Sequence, residues 1–109
     1  MLQCVYKTRR LQKVIKIGLI GQPGLKSKLE ENENFQVVFD VDGCDARSSL
    51  ENIPADVVIT ELIMSGEDGF ALLEKYRDVK FIVASELKSE VFVIKALDLG
   101  AKYYLVKPL

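Results

Sequence analysis

Glu61, Ser85 and Lys107 are the residues whose types and spacing could do chemistry in this chain. Each stands just past a short apolar run, and each offers a different group: a carboxylate, a hydroxyl and an amine. Together they could bind an anion or hold an ion pair. Gly21 and Gln22 follow another such run, and the loop Met64-Ser65-Gly66-Glu67-Asp68-Gly69 follows Glu61. The chain has no histidine, which removes a His base, a His metal ligand and any Ser-His or Cys-His pair. Cys4 and Cys44 are the only cysteines, too few for a Cys₄ zinc site within one chain and better read as free thiols in a reducing compartment. Gly18 to Ser27 invites a phosphate-loop reading, but Gly24 is followed by Leu25, not Lys, and five residues separate Gly18 from Gly24 where four are needed.

The elements that must position these residues alternate in type. Val14–Ile20, Phe35–Val41, Asp56–Thr60, Lys80–Ser85 and Tyr103–Val106 are short runs rich in β-branched or aromatic residues and read as strands. Between them, 24–33, 44–52, 69–77 and 89–99 read as helices. Asp68 is the expected N-cap of the third and Gly100 the C′ residue of the fourth. Strand-helix alternation predicts an α/β domain with a parallel sheet and right-handed crossovers, and ligands then collect at the carboxyl ends of the strands.

A chain of 109 residues allows one compact domain. Apolar residues make up 49% and charged residues 28%, a globular composition. With 15 basic against 16 acidic residues there is no basic excess for nucleic acid or anionic membrane. No apolar run is long enough to span a bilayer and no secretory signal is legible, so the cytoplasm is the expected location. Charge is uneven. Residues 1–16 hold five basic residues and no acidic ones, while 30–56 hold eight acidic residues and only Arg47. Either these are solvated faces or they orient a partner.

The order of features resembles the receiver domain of bacterial response regulators. Asp98-Leu-Gly-Ala-Lys-Tyr-Tyr-Leu-Val-Lys-Pro-Leu109 is similar to that family's closing strand, and Pro54-Ala-Asp-Val-Val-Ile through Asp68-Gly69 to its central strand and loop. The likeness implies a flavodoxin-like, doubly wound five-stranded parallel sheet in the order 2-1-3-4-5 over residues 14–109, with 1–13 as a basic N-terminal extension. It also implies roles. Glu61 falls at the phosphoacceptor position, Gly21 and Gln22 at the metal-binding acidic pair, Ser85 and Lys107 at the phosphoryl-binding hydroxyl and amine, and Tyr104 at the switch aromatic.

The departures from the family pattern carry a prediction of their own. Phosphoryl transfer to Asp needs Mg²⁺ held by carboxylates, and neither Gly21 nor Gln22 has one. Glu61 is one methylene longer than Asp, which moves its oxygen by roughly 1–1.5 Å, a misplacement that costs orders of magnitude in rate. The expectation is a non-catalytic pseudo-receiver, with no metal or cofactor, that acts through a protein partner or as a homodimer. A receiver that still phosphorylates on Glu61 or Asp68 is one alternative. An anion-binding regulatory domain using Lys107, Ser85 and the amides of 21–24 is the other. Without a phosphoryl group, Glu61 and Lys107 are expected to pair, with Ser85 as a third partner. That pair is either a built-in mimic of the phosphorylated state or an ordinary ion pair in a degenerate pocket. Tyr104 is either a fixed ring or an aromatic on a half-buried strand.

Two expectations concern exposed faces. Val91-Phe92-Val93-Ile94 cannot all turn inward on a 3.6-residue period. Val91, Phe92 and Lys95 are therefore expected on a partner face, or sheltered by a neighbouring loop. Receivers also carry a helix after the Lys-Pro step, and here the chain stops at Leu109. Strands one, four and five are expected to lose their lid and expose an apolar patch. Continuation in a longer chain, a dimer, or residues 1–13 folding over the gap would each cover it. The first helix also reads about one turn short for the family.

Overall fold

The computed structural model describes residues 13–109; the basic extension and Cys4 lie outside them, apart from Lys13. Strand β1 (Ile15–Ile20) opens the described chain, followed by α1 (Leu25–Leu29), β2 (Phe35–Val41), a 3₁₀ turn (Gly43–Asp45) and α2 (Ala46–Asn52). Then come β3 (Val57–Thr60), a two-stranded hairpin of β4 (Ile63–Met64) and β5 (Glu67–Asp68), and α3 (Gly69–Lys75). The chain closes with β6 (Phe81–Ser85), α4 (Glu90–Asp98) and β7 (Tyr103–Val106). The main sheet has the order β2-β1-β3-β6-β7 and every pairing in it is parallel. With the small hairpin set aside, this is the expected doubly wound order.

Residue alternation along the strands builds a core on each face of the sheet. Ile20, Phe39, Val58, Phe81 and Val83 pack against Ala46, Leu72, Leu73 and Ala96 from α2, α3 and α4. Ile17, Leu19, Ile59 and Ala84 turn the other way, toward Leu25 and Leu29 of α1. Gly18 makes this possible: a Cβ there would stand 2.2 Å from the Phe39 ring, so only hydrogen leaves room for it. Of strands one, four and five, expected to lose their lid, the first and fourth are largely covered: Ile17 is 3% and Leu19 and Ala84 0% exposed in the core that α1 closes. Exposed apolar residues on that face are Ile15 on β1 and Tyr103 and Leu105 on the edge strand β7.

The helices are shorter than their patterns predict. Helix α1 stops at Leu29, not near 33, because Asn32 accepts from the Asn34 amide at 2.8 Å and turns the chain. The second begins as a 3₁₀ turn in which Asp42 accepts from Cys44 N at 3.0 Å. Asp68 does cap α3, accepting from Phe70 N at 2.9 Å. Gly100 follows α4 with φ +114°, a conformation that favours glycine. No described helix is long and apolar enough to cross a membrane.

Candidate functional site

Parallel strands place their carboxyl ends side by side, and the candidate residues gather there. Glu61 follows β3 directly, its amide donating to Ile20 O at 3.0 Å. One carboxylate oxygen, Oε2, accepts from the Leu62 amide at 2.8 Å. The other, Oε1, lies 3.4 Å from Lys107 Nζ. Both side chains are mostly enclosed, Glu61 14% and Lys107 21% exposed, so this ion pair is shielded more than a surface pair would be. Lys107 is brought there by backbone, its amide donating to Ser85 O at 2.9 Å.

Ser85 is buried but is not a third member of that pair. Its hydroxyl oxygen accepts from Leu87 N at 3.1 Å, bending the loop after β6 back on itself. Tyr104 holds the same loop from the other side, donating to Leu87 O at 2.5 Å. Burial raises the Tyr104 phenol above its ordinary value, opposed by the nearby Ser85 hydroxyl and reinforced by the Glu61 carboxylate.

Gly21 and Gln22 form the adjacent wall. Gly21 has φ +67°, and a Cβ there would stand 3.1 Å from Glu61 Cβ and 3.2 Å from Met64 Sδ. Gln22 is 3% exposed and donates from Nε2 to Ala84 O at 3.0 Å. Its amide therefore ties the end of β1 to β6. Beside it opens a cleft of about 720 Å³ lined by Gln22, Pro23, Leu25, Lys28, Glu86 and Lys107.

The helix α4 divides the residues expected on a partner face. Val91 is exposed, at 70%, and continues into Ile94 and Leu97. Phe92 is half-buried and stacks on Phe70 with ring centroids 6.2 Å apart. Lys95 places Nζ over the same Phe70 ring, 4.5 Å from its centroid. Phe92 and Lys95 thus clip α4 to α3, and the free stripe is Val91, Ile94 and Leu97.

One contact near the site escapes the sequence reading. Arg47 of α2 forks onto Glu67 of β5, Nε to Oε1 at 2.7 Å and Nη2 to Oε2 at 3.0 Å. The Arg47 hydrogen bond holds the Glu67 carboxyl below its usual value against the opposing effect of burial, with the Asp68 amide assisting. The isolation of Arg47 within an acidic stretch is its one sequence signal.

Known proteins are similar to this chain in sequence and in fold. The family model for the response regulator receiver domain matches residues 22–109. Chemotaxis protein CheY of Treponema pallidum (strain Nichols) is 39% identical over 63% of this chain and 52% of its own length. Fimbriae Z protein of Salmonella typhimurium is 34% identical over 72% of this chain and 40% of its own. The chain thus spans about half or less of the length of these curated relatives. Among solved structures, a two-component response regulator from Clostridium difficile superposes with a TM-score of 0.74 at 26% identity, covering 87% of this chain and 84% of that one. Strand order and family match agree, and the chain belongs to the response regulator receiver domain family.

Proposed function

We propose that this receiver domain works in two-component signalling as a non-catalytic protein-interaction module whose pocket is set by the Glu61–Lys107 pair, not by Mg²⁺-dependent phosphorylation. The supporting observation is how the Glu61 carboxylate is spent. One oxygen is held by the Leu62 amide and the other faces Lys107. An acceptor carboxylate must present an oxygen in line with the phosphorus, and each oxygen here already holds a partner.

The family's dication does not fit the donor set. Mg²⁺ asks for hard oxygen ligands in near-octahedral geometry. Gly21 has no side chain, and Gln22, whose Nε2 donates to Ala84 O, brings no carboxylate. Among the described residues no cluster of three Asp, Glu, Cys or His side chains could hold a metal. The same corner that would carry the ion is closed by a neutral hydrogen bond.

Output then runs through surface and not through turnover. The Val91, Ile94 and Leu97 stripe on α4 offers apolar area at 70%, 56% and 43% exposure. It is the face we assign to a protein partner or a second copy, in the cytoplasm. Intact-mass measurement after incubation with acetyl phosphate and Mg²⁺ tests the reading. The expected result is an unchanged mass; a stable species heavier by one phosphoryl group overturns it. Stabilisation of the fold by Mg²⁺ alone in a thermal melt would overturn it equally.

A further inference from the structure

Helix α2 grips the segment that follows Glu61 with two side chains one turn apart. Arg47 forks onto Glu67 at 2.7 and 3.0 Å. Glu51, at the i+4 position of the same helix face, accepts from the Tyr76 hydroxyl at the end of α3. One short helix therefore holds the hairpin and the far end of α3 together.

The backbone between the grips is packed without slack. A Cβ at Gly43 would stand 2.2 Å from the Ser65 carbonyl oxygen. A Cβ at Gly66 would stand 2.6 Å from Cys44 Sγ, and Gly66 has φ +86° as the hairpin turns. The hairpin tip thus sits directly on the 3₁₀ turn that leads into α2.

The gripped segment begins at the pocket. Leu62 N donates to Glu61 Oε2 at 2.8 Å, and Gly69 N donates to Leu62 O at 2.9 Å, closing the loop on itself. The direction of the Glu61 carboxylate follows from that loop, and the far side of the loop is held by Glu67.

We propose that Arg47 is a positioning residue for the pocket: through Glu67 it holds the 62–69 loop, and with it the Glu61 carboxylate, in the orientation that faces Lys107. A forked guanidinium–carboxylate contact fixes angle as well as distance, which a single ammonium contact does not. A shift of α2 is then passed to the pocket as a rotation of Glu61. The inference stands whether or not the pocket accepts a phosphoryl group, because it concerns the loop and not the chemistry.

Amide hydrogen exchange measured by NMR on the whole chain tests this. Arg47 is 43% exposed on its side chain, so its replacement leaves the core packed. In Arg47→Gln, the Leu62 and Gly69 amides are expected to exchange about tenfold faster while Val58 in β3 stays unchanged. Glu67→Gln is expected to do the same, and Arg47→Lys to fall between. The charge-swapped double variant Arg47→Glu with Glu67→Arg restores protection. Unchanged exchange at Leu62 and Gly69 overturns the proposal. So does equal acceleration at Val58, which would make the contact a general stabiliser and nothing more specific.

Discussion

Lys107 Nζ lies 3.4 Å from Glu61 Oε1, across the ends of two strands that are not neighbours in the sheet. The intervening strand, β6, supplies the backbone bond that aims Lys107, from its own Ser85 carbonyl. The pair therefore spans β3, β6 and β7 and reports on all three. Neutralising one member leaves the other partly enclosed and uncompensated. Glu61→Gln and Lys107→Met are each expected to destabilise the domain by about 1 kcal/mol. The double variant should cost less than the sum of the two, since neighbours couple. Urea unfolding of the four proteins checks this; strict additivity would show that the pair carries no interaction energy.

The Arg47–Glu67 contact predicts an acid-side loss. The folded state depresses the Glu67 carboxyl, so the contact's stabilisation is fully present above the unfolded-state value of about 4.3 and disappears as pH falls through the lower folded value. Unfolding measured at neutral and acid pH should therefore fall more steeply for the parent than for Arg47→Gln. Parallel curves would count against a charged contact.

Tyr104 predicts the opposite edge. Burial raises its phenol, so the neutral ring is favoured in the fold, and that contribution holds below the unfolded value of about 10 and vanishes as pH rises through the folded one. Ultraviolet titration of the phenols, parent against Tyr104→Phe, should lose a late-titrating group. Tyr76 is raised as well, by burial and by Glu51, so it remains late in both proteins and serves as an internal reference. Removing the hydroxyl also removes the bond to Leu87 O and is expected to cost about 1 kcal/mol.

The core gives a larger number. Leu72 is 0% exposed between α3 and the sheet, and Leu72→Ala leaves a cavity that costs about 2–5 kcal/mol. Val91→Ala, on a side chain 70% exposed, should change stability by no more than about 0.5 kcal/mol. Chemical denaturation of the two variants separates core from surface on the same scaffold.

Strands β2 and β7 fall on the residues that their patterns predict, because β-branched and aromatic runs bounded by turn residues specify short strands strongly. The site's membership was legible for the same reason: Glu61, Ser85 and Lys107 each terminate such a run. Their contacts were less so. Ser85 faces its own loop and not Glu61, a choice made by the Leu87 amide two residues on. The Ile63–Met64 and Glu67–Asp68 hairpin is too short to show a period, and only Ser65-Gly66 hinted at its turn. Arg47 and Glu67 are separated by 20 positions, and nothing in local pattern joins them. Phe92 and Lys95 look like surface on a helical wheel, yet Phe70 of another helix half-buries the first by stacking and lies under the ammonium of the second, which stays exposed.

The Gln22–Ala84 bond has a practical consequence. A primary amide does not ionise in the physiological range, and the nitrogen that makes this bond is a donor with no affinity for a cation. The junction of β1 and β6 that it closes should keep its shape in chelator, in concentrated salt and from mildly acid to mildly basic buffer. At this corner the domain's geometry is decided when the chain folds.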